Sequence, residues 1–214
     1  MQSMSLGKKD PRIREYVTPN KIIWTTSDAS FENEELLLQD RESQVLITPD
    51  EPVIIRNDGT RILLDFGTEL HGGIQLAIWN CVKKGELVKQ AKVRVRFGES
   101  VMEAMSDIGG ATNATNDHAI RDQIVDVSFL GMNEIGNTGF RFVRLDLLEE
   151  DCWIQVNTIK AIFYHCDLPV KGSFHSSDPL LNQIWDTGAY TVYLNMQEYI
   201  WDGIKRDRMH GMDW

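Results

Sequence analysis

No run of apolar residues in this 214-residue chain approaches the ~20 that a membrane-spanning helix requires. The segment Met1 to Arg14 is polar and basic, without the hydrophobic centre of a secretory signal. Both absences lead to the expectation of a soluble, cytoplasmic protein with no membrane partner. Cysteine is scarce: Cys81, Cys152 and Cys166 form no CxxC pair, and three thiols cannot close into a complete intramolecular disulfide set, which fits a reducing compartment. Basic residues are outnumbered, 22 Lys and Arg against 32 Asp and Glu, for a formal net charge of -10. That field repels phosphate backbones, so nucleic acid is not an expected partner. There is no internal repeat, low-complexity tract or Gly-Ser linker. Asn116-Asp117-His118 has no second cluster at ligand spacing, so neither a metal nor another cofactor is expected.

What the sequence does hold is enough apolar material, 42 % of residues, for a substantial core. From Ile22 to about Tyr164 it is organised as short runs of β-branched and aromatic residues separated by turn chemistry, such as Asn57-Asp58-Gly59 and Lys83-Lys84-Gly85-Glu86. Residues 61–66, 73–79 and 92–97 are the clearest strands, and the last alternates Val93, Val95 and Phe97 against Arg94 and Arg96, which predicts one buried face. Residues 122–129 alternate with Ile124 out of step, and 140–148 and 153–164 supply two longer strands. Eight to ten strands without intervening helices predict a mainly β fold, an antiparallel, jelly-roll-like β-sandwich. Ser100 to His118 reads as a long loop with one helical turn.

Leu168-Pro169 and Gly172 mark a boundary. Asp178 then precedes Pro179, a capping residue before a proline at the first helical position, and predicts a single C-terminal α-helix from Pro179 to about Tyr199. Leu181, Ile184, Trp185, Val192, Met196 and Tyr199 fall on one of its faces. The expected organisation is an extension over residues 1–20, a β-sandwich over 21–168, and a linker with helix and loop over 169–214.

The densest chemistry follows that helix. Residues 201–214 contain three carboxylates, three basic side chains, a histidine and two tryptophans. A sugar-cleaving site needs carboxylates for proton transfer, basic groups to set their charge state, and aromatic faces for sugar C–H groups. A solvated charged tail accounts for the composition equally well. Upstream, His71 reads as a structural turn residue in preference to a ligand contact, Gly72 and Gly73 as a turn or bulge, and Glu99 with Glu103 as a solvated loop face in preference to an acid–base pair. Trp24, Trp79 and Trp153 read as core or edge residues, or as a sugar platform on an exposed face.

Asp202-Gly-Ile-Lys-Arg-Asp-Arg208 resembles the aspartate-led segment of the bacterial α-L-rhamnosidases, an inverting glycoside hydrolase family. The segments 172–178 and 181–190 are similar to the start of that family's (α/α)6 catalytic barrel, and 63–73, 96–100 and 137–144 to the β-sandwich domain before it. The likeness runs from about Ile22 to Arg208 in family order. It implies hydrolysis of terminal α-L-rhamnosides, with a rhamnose-containing glycan or glycoside as partner and no cofactor. Asp202, with Trp201, Arg206 and Arg208, would bind substrate, and Asp207 would stand at the general-acid position, where many members carry glutamate. After Arg208 the family pattern of an apolar residue, a tryptophan and a Gly-Asp pair is replaced by Met209-His-Gly-Met-Asp-Trp214. An inverting mechanism also needs a second carboxylate ~6.5–9.5 Å from the first, which the family supplies from later in its barrel. Two readings therefore stand. One is the N-terminal part of a rhamnosidase, catalytically incomplete alone, with self-association through the helix's uncovered face; the other is a non-catalytic carbohydrate-binding or interaction module.

Overall fold

The computed structural model describes residues 10–26, 30–43, 51–56, 59–109, 119–169 and 171–205. These fall into two compact units, one from the described parts of 1–15 and 163–214, the other from 16–162.

The fold is mainly β and antiparallel, with one long C-terminal helix, as the sequence predicts. Its strands are β1 (Arg12–Val17), β2 (Lys21–Thr25), β3 (Phe31–Glu32), β4 (Val53–Arg56), β5 (Arg61–Lys83), β6 (Glu86–Val88), β7 (Gln90–Gly98), β8 (Asp122–Ser128), β9 (Gly131–Leu147) and β10 (Cys152–Cys166). They share one hydrogen-bonded network in the order β3-β4-β10-β5-β9-β7-β8, with β2 and β6 also on β5 and β1 on β10. β1 lies within the first 20 residues.

In the larger unit the 23-residue β5 is buried along most of its length and pairs with β9 from Arg61↔Asp146 to Ile78↔Gly131. Its register shifts twice, between Asp65 and Leu70 and between Gly72 and Ile74. The second shift is a bulge that requires glycine: a Cβ on Gly73 would sit 2.3 Å from the carbonyl oxygen of Ile135. His71, expected at a turn, instead lies inside β5, fully buried opposite Gly139. Phe97 and Phe140 meet edge to face at 5.1 Å, and Phe66 meets Phe140 at 5.8 Å. Gly136 (φ 86°) makes room for this cluster, because a Cβ there would fall 2.3 Å from Phe97 Cζ.

The helical turn expected after Ser100 is α1 (Val101–Met105). Ser100 caps the helix by accepting from the Glu103 N–H, and Glu103 Oε2 accepts from the N–H of Glu99, the residue before the cap, at 2.8 Å. Glu103 is buried, not part of a solvated face, with its carboxylate folded back onto the backbone N–H of Glu99. Asn116, Asp117 and His118 lie outside the described residues.

In the smaller unit α2 (Pro179–Asn195) begins where the sequence places it, with Asp178 Oδ1 accepting from the Leu180 N–H at 2.9 Å. It ends earlier than Tyr199. Asn195 Nδ2 donates to the Thr191 carbonyl and Gln197 Nε2 to that of Leu194, so amide side chains take up the last carbonyls and the backbone turns at Met196.

Candidate functional site

Of the side chains singled out after the helix, Trp201 and Asp202 lie within the described residues, whereas Arg206, Asp207 and Arg208 lie outside them. The chain leaves α2 through a tight return: the Gln197 N–H bonds the Tyr199 carbonyl at 2.9 Å, Met196 bridges to Ile200, and the Trp201 N–H bonds the Asn195 carbonyl at 2.9 Å. Trp201 is half-buried by this, and Asp202 is exposed. The return is anchored from below, since Gln197 Nε2 also reaches the Tyr164 carbonyl and Tyr193 hydrogen-bonds His165 Nδ1. Glu15 Oε1 lies 3.2 Å from His165 Nε2, within ion-pair range but without the alignment of a hydrogen bond. Burial pushes the Tyr193 phenol above its usual pKa, so it is a neutral donor here.

Above that anchor α2 buries only Leu194. Leu180, Ile184, Val192 and Tyr199 are each more than half exposed, and Trp185 and Met196 line an open apolar groove of about 560 Å3 with Leu168, Pro169 and Tyr193. Neither Trp201 nor Asp202 lines it.

A second site, which the sequence reading missed, lies in the larger unit. Arg61 on β5, Arg94 and Arg96 on β7, and Arg144 with Asp146 on β9 line a polar cavity of about 470 Å3. Strand register assembles them: Arg61 stands opposite Asp146, Asp146 opposite Arg94, Arg144 opposite Arg96, and Arg96 opposite Asp122 of β8. Alternation along β7 sends Val93, Val95 and Phe97 into the core and the arginines to the other face. That face is covered too, for Arg96 is only 2 % and Arg144 only 5 % exposed.

Charge pairing makes this burial tolerable. Arg144 Nε and Nη2 each donate to Asp146 at 2.7 Å, and Arg94 Nε and Nη2 to Asp122 at 2.7 and 2.6 Å. Arg96 Nε reaches Asp122 at 3.1 Å, and its Nη2 contacts Asp107, just beyond α1. Burial raises the Asp122 pKa, but hydrogen bonds and charge from Arg94 and Arg96 outweigh it and hold the carboxyl below its usual range. The Arg96 hydrogen bond lowers that of Asp107, although the Asp107 side chain is 75 % exposed. The only signal in the sequence was arginine alternating with valine, which reads as a solvent face. Nothing local says that Arg61 and Arg144 converge on it.

No group of three or more potential metal ligands occurs among the described residues. No helix among them is long and apolar enough to cross a membrane.

No family model matches this chain, and no curated protein matches it. Among solved structures, a rhamnosidase from Klebsiella oxytoca with rhamnose bound superposes with a TM-score of 0.68 at 17 % identity, over 93 % of this chain and 38 % of that one. A GH78 family rhamnosidase of Bacillus sp. GL1 gives 0.52 at 20 % identity, over 76 % of this chain and 16 % of that one. The chain thus spans a minor part of the length of these structures, and at such identities the likeness is one of fold: a rhamnosidase-like β architecture.

Proposed function

We propose that this chain is part of an inverting α-L-rhamnosidase, with residues 21–168 as its accessory β-domain and 169–214 opening the catalytic barrel. The observation that carries the reading is the likeness of fold to the Klebsiella oxytoca rhamnosidase over 93 % of the chain. The motif beginning at Asp202 supports it, because Asp202 is exposed on a braced return directly after α2. In this reading Asp202 accepts hydrogen bonds from sugar hydroxyls, Trp201 offers an apolar face, Arg206 and Arg208 orient the substrate, and Asp207 donates the proton to the departing oxygen. The water-activating carboxylate comes from outside these 214 residues. A cytoplasmic location belongs to the same proposal and rests on the three buried free thiols.

The test is hydrolysis of a chromogenic aryl α-L-rhamnoside by the purified chain, with circular dichroism establishing that it is folded. No turnover is expected. Turnover that disappears in Asp207→Asn would show a complete site within the chain and contradict the incomplete-enzyme reading.

A second reading, a non-catalytic carbohydrate-binding module, is favoured by the arginine-lined cavity of the larger unit, which is of ligand size and formed without any residue of the α2 loop.

A further inference from the structure

We propose that the cavity between β5, β7, β9 and the end of α1 binds a carboxylate-bearing sugar, a hexuronate, and that Asp107 occupies the carboxylate's place when the sugar is absent. This rests on the binding-module reading of the larger unit and is independent of the rhamnoside reading.

The first argument is charge. Four guanidinium groups, of Arg61, Arg94, Arg96 and Arg144, face three carboxylates, of Asp107, Asp122 and Asp146. Among the described residues these groups carry one more positive than negative charge, in a chain whose net charge is -10, which favours an anion there.

The second argument is unequal commitment. Asp122 and Asp146 are buried, each gripped through both oxygens by a planar guanidinium fork, and they belong to the framework. Asp107 is different, because its side chain is 75 % exposed yet it supplies the contact to Nη2 of Arg96, whose side chain is 3 % exposed. A buried guanidinium whose outer nitrogen is satisfied by a hydrated, displaceable carboxylate offers that position to another carboxylate. Arg144 spends Nε and Nη2 on Asp146, and its Nη1 makes no hydrogen bond among the described residues, although the side chain lines the cavity. A ligand carboxylate therefore meets Arg96 as Asp107 leaves and gains a donor from Arg144. The two donors, one from Arg96 and one from Arg144, suit the two oxygens of a single carboxylate.

The third argument is size and polarity. About 470 Å3 exceeds what a free inorganic ion needs and suits a monosaccharide or a chain-terminal residue. No aromatic ring among the described residues lines the space, so the recognition argued here is by charge and hydrogen bonding.

The experiment is calorimetric titration of the whole chain with D-glucuronate, D-glucose, sulfate and an acidic dipeptide, followed by an oligouronide to separate a free sugar acid from a chain end. Saturable binding of glucuronate, weakened by salt and absent for glucose, is expected. Asp107→Asn removes the stand-in from an exposed position and should tighten glucuronate binding about two- to fivefold, the scale of a surface ion pair. Arg144→Gln, which removes the uncommitted donor, should weaken it at least about tenfold, with unchanged circular dichroism as the control for folding. Unchanged or weaker binding in Asp107→Asn overturns the stand-in role. Sulfate or the dipeptide binding as well as glucuronate overturns the sugar-acid assignment. Glucose binding in place of glucuronate overturns this inference while leaving the module reading intact, and no binding of any sugar removes both.

Discussion

At the scale of single residues, the buried groups divide into those that packing makes inert and those that charge makes pH-sensitive. Burial pushes the Cys81 thiol up to about 12 and the Cys152 thiol up to about 11, and raises that of Cys166. None of the three should react with a disulfide reagent such as DTNB in the native protein at neutral pH, and all three should react after unfolding in guanidinium. Rapid native labelling of Cys81 or Cys152 would contradict the packing described. Asp65 behaves oppositely: hydrogen bonds from Arg141 at 2.7 and 2.9 Å outweigh burial and hold its carboxyl below the usual range. A depressed folded-state pKa gives stability that is present above the unfolded value, near 4, and lost as pH falls through the folded one. Thermal melts should therefore drop steeply only below about pH 4. Asp65→Asn should cost about 1–2 kcal/mol at neutral pH and flatten that acid limb.

Among the elements, the strands were legible in part and the covers over them were not: residues 61–66 and 73–79 read as two strands but are one β5, and β1 fell within the expected extension. Residues 92–97 declared β7 because valine and phenylalanine alternate with arginine, and the alternation is what strand geometry dictates. Asp178-Pro179 declared the start of α2, but its end depended on the amides of Asn195 and Gln197 reaching back to carbonyls, which no periodicity encodes. The cover over the arginine face was equally hidden. It is pinned by Arg121, fully buried, whose Nη1 donates to the carbonyls of Glu103 and Ser106 at 3.1 Å and so secures α1 and the position of Asp107 beyond it. Arg121→Ala should cost on the order of 3 kcal/mol in chemical denaturation. A variant as stable as the parent would mean that α1 is held by other contacts. Gly136→Ala tests the aromatic cluster from the other side. It combines a positive φ with a Cβ driven into Phe97, and a loss of about 3 kcal/mol is expected.

For the whole molecule, the exposed side of α2 is the feature that a self-contained protein has least reason to keep. The sequence predicted an apolar stripe there, and of its members Leu181, Ile184 and Val192 are exposed on α2 and Tyr199 just beyond its end. Sedimentation should show concentration-dependent association that Ile184→Lys with Val192→Lys removes; a monomer at all concentrations would contradict it. The candidate sugar site was legible in a different way. Asp202 and its neighbours stood out only through resemblance to a family, since composition alone fits a charged tail, and the fold supports that resemblance without naming the reaction. The arginine cavity was illegible because its members lie on three strands whose register is set by the whole sheet.

Titrating the folded chain with L-rhamnose while following tryptophan fluorescence asks whether the loop after α2 belongs to a rhamnoside site, with Trp201 beside the candidate ligand Asp202. A saturable change is expected, lost in Asp202→Asn while the circular dichroism stays the same. No saturable response, or one that Asp202→Asn leaves untouched, would contradict it.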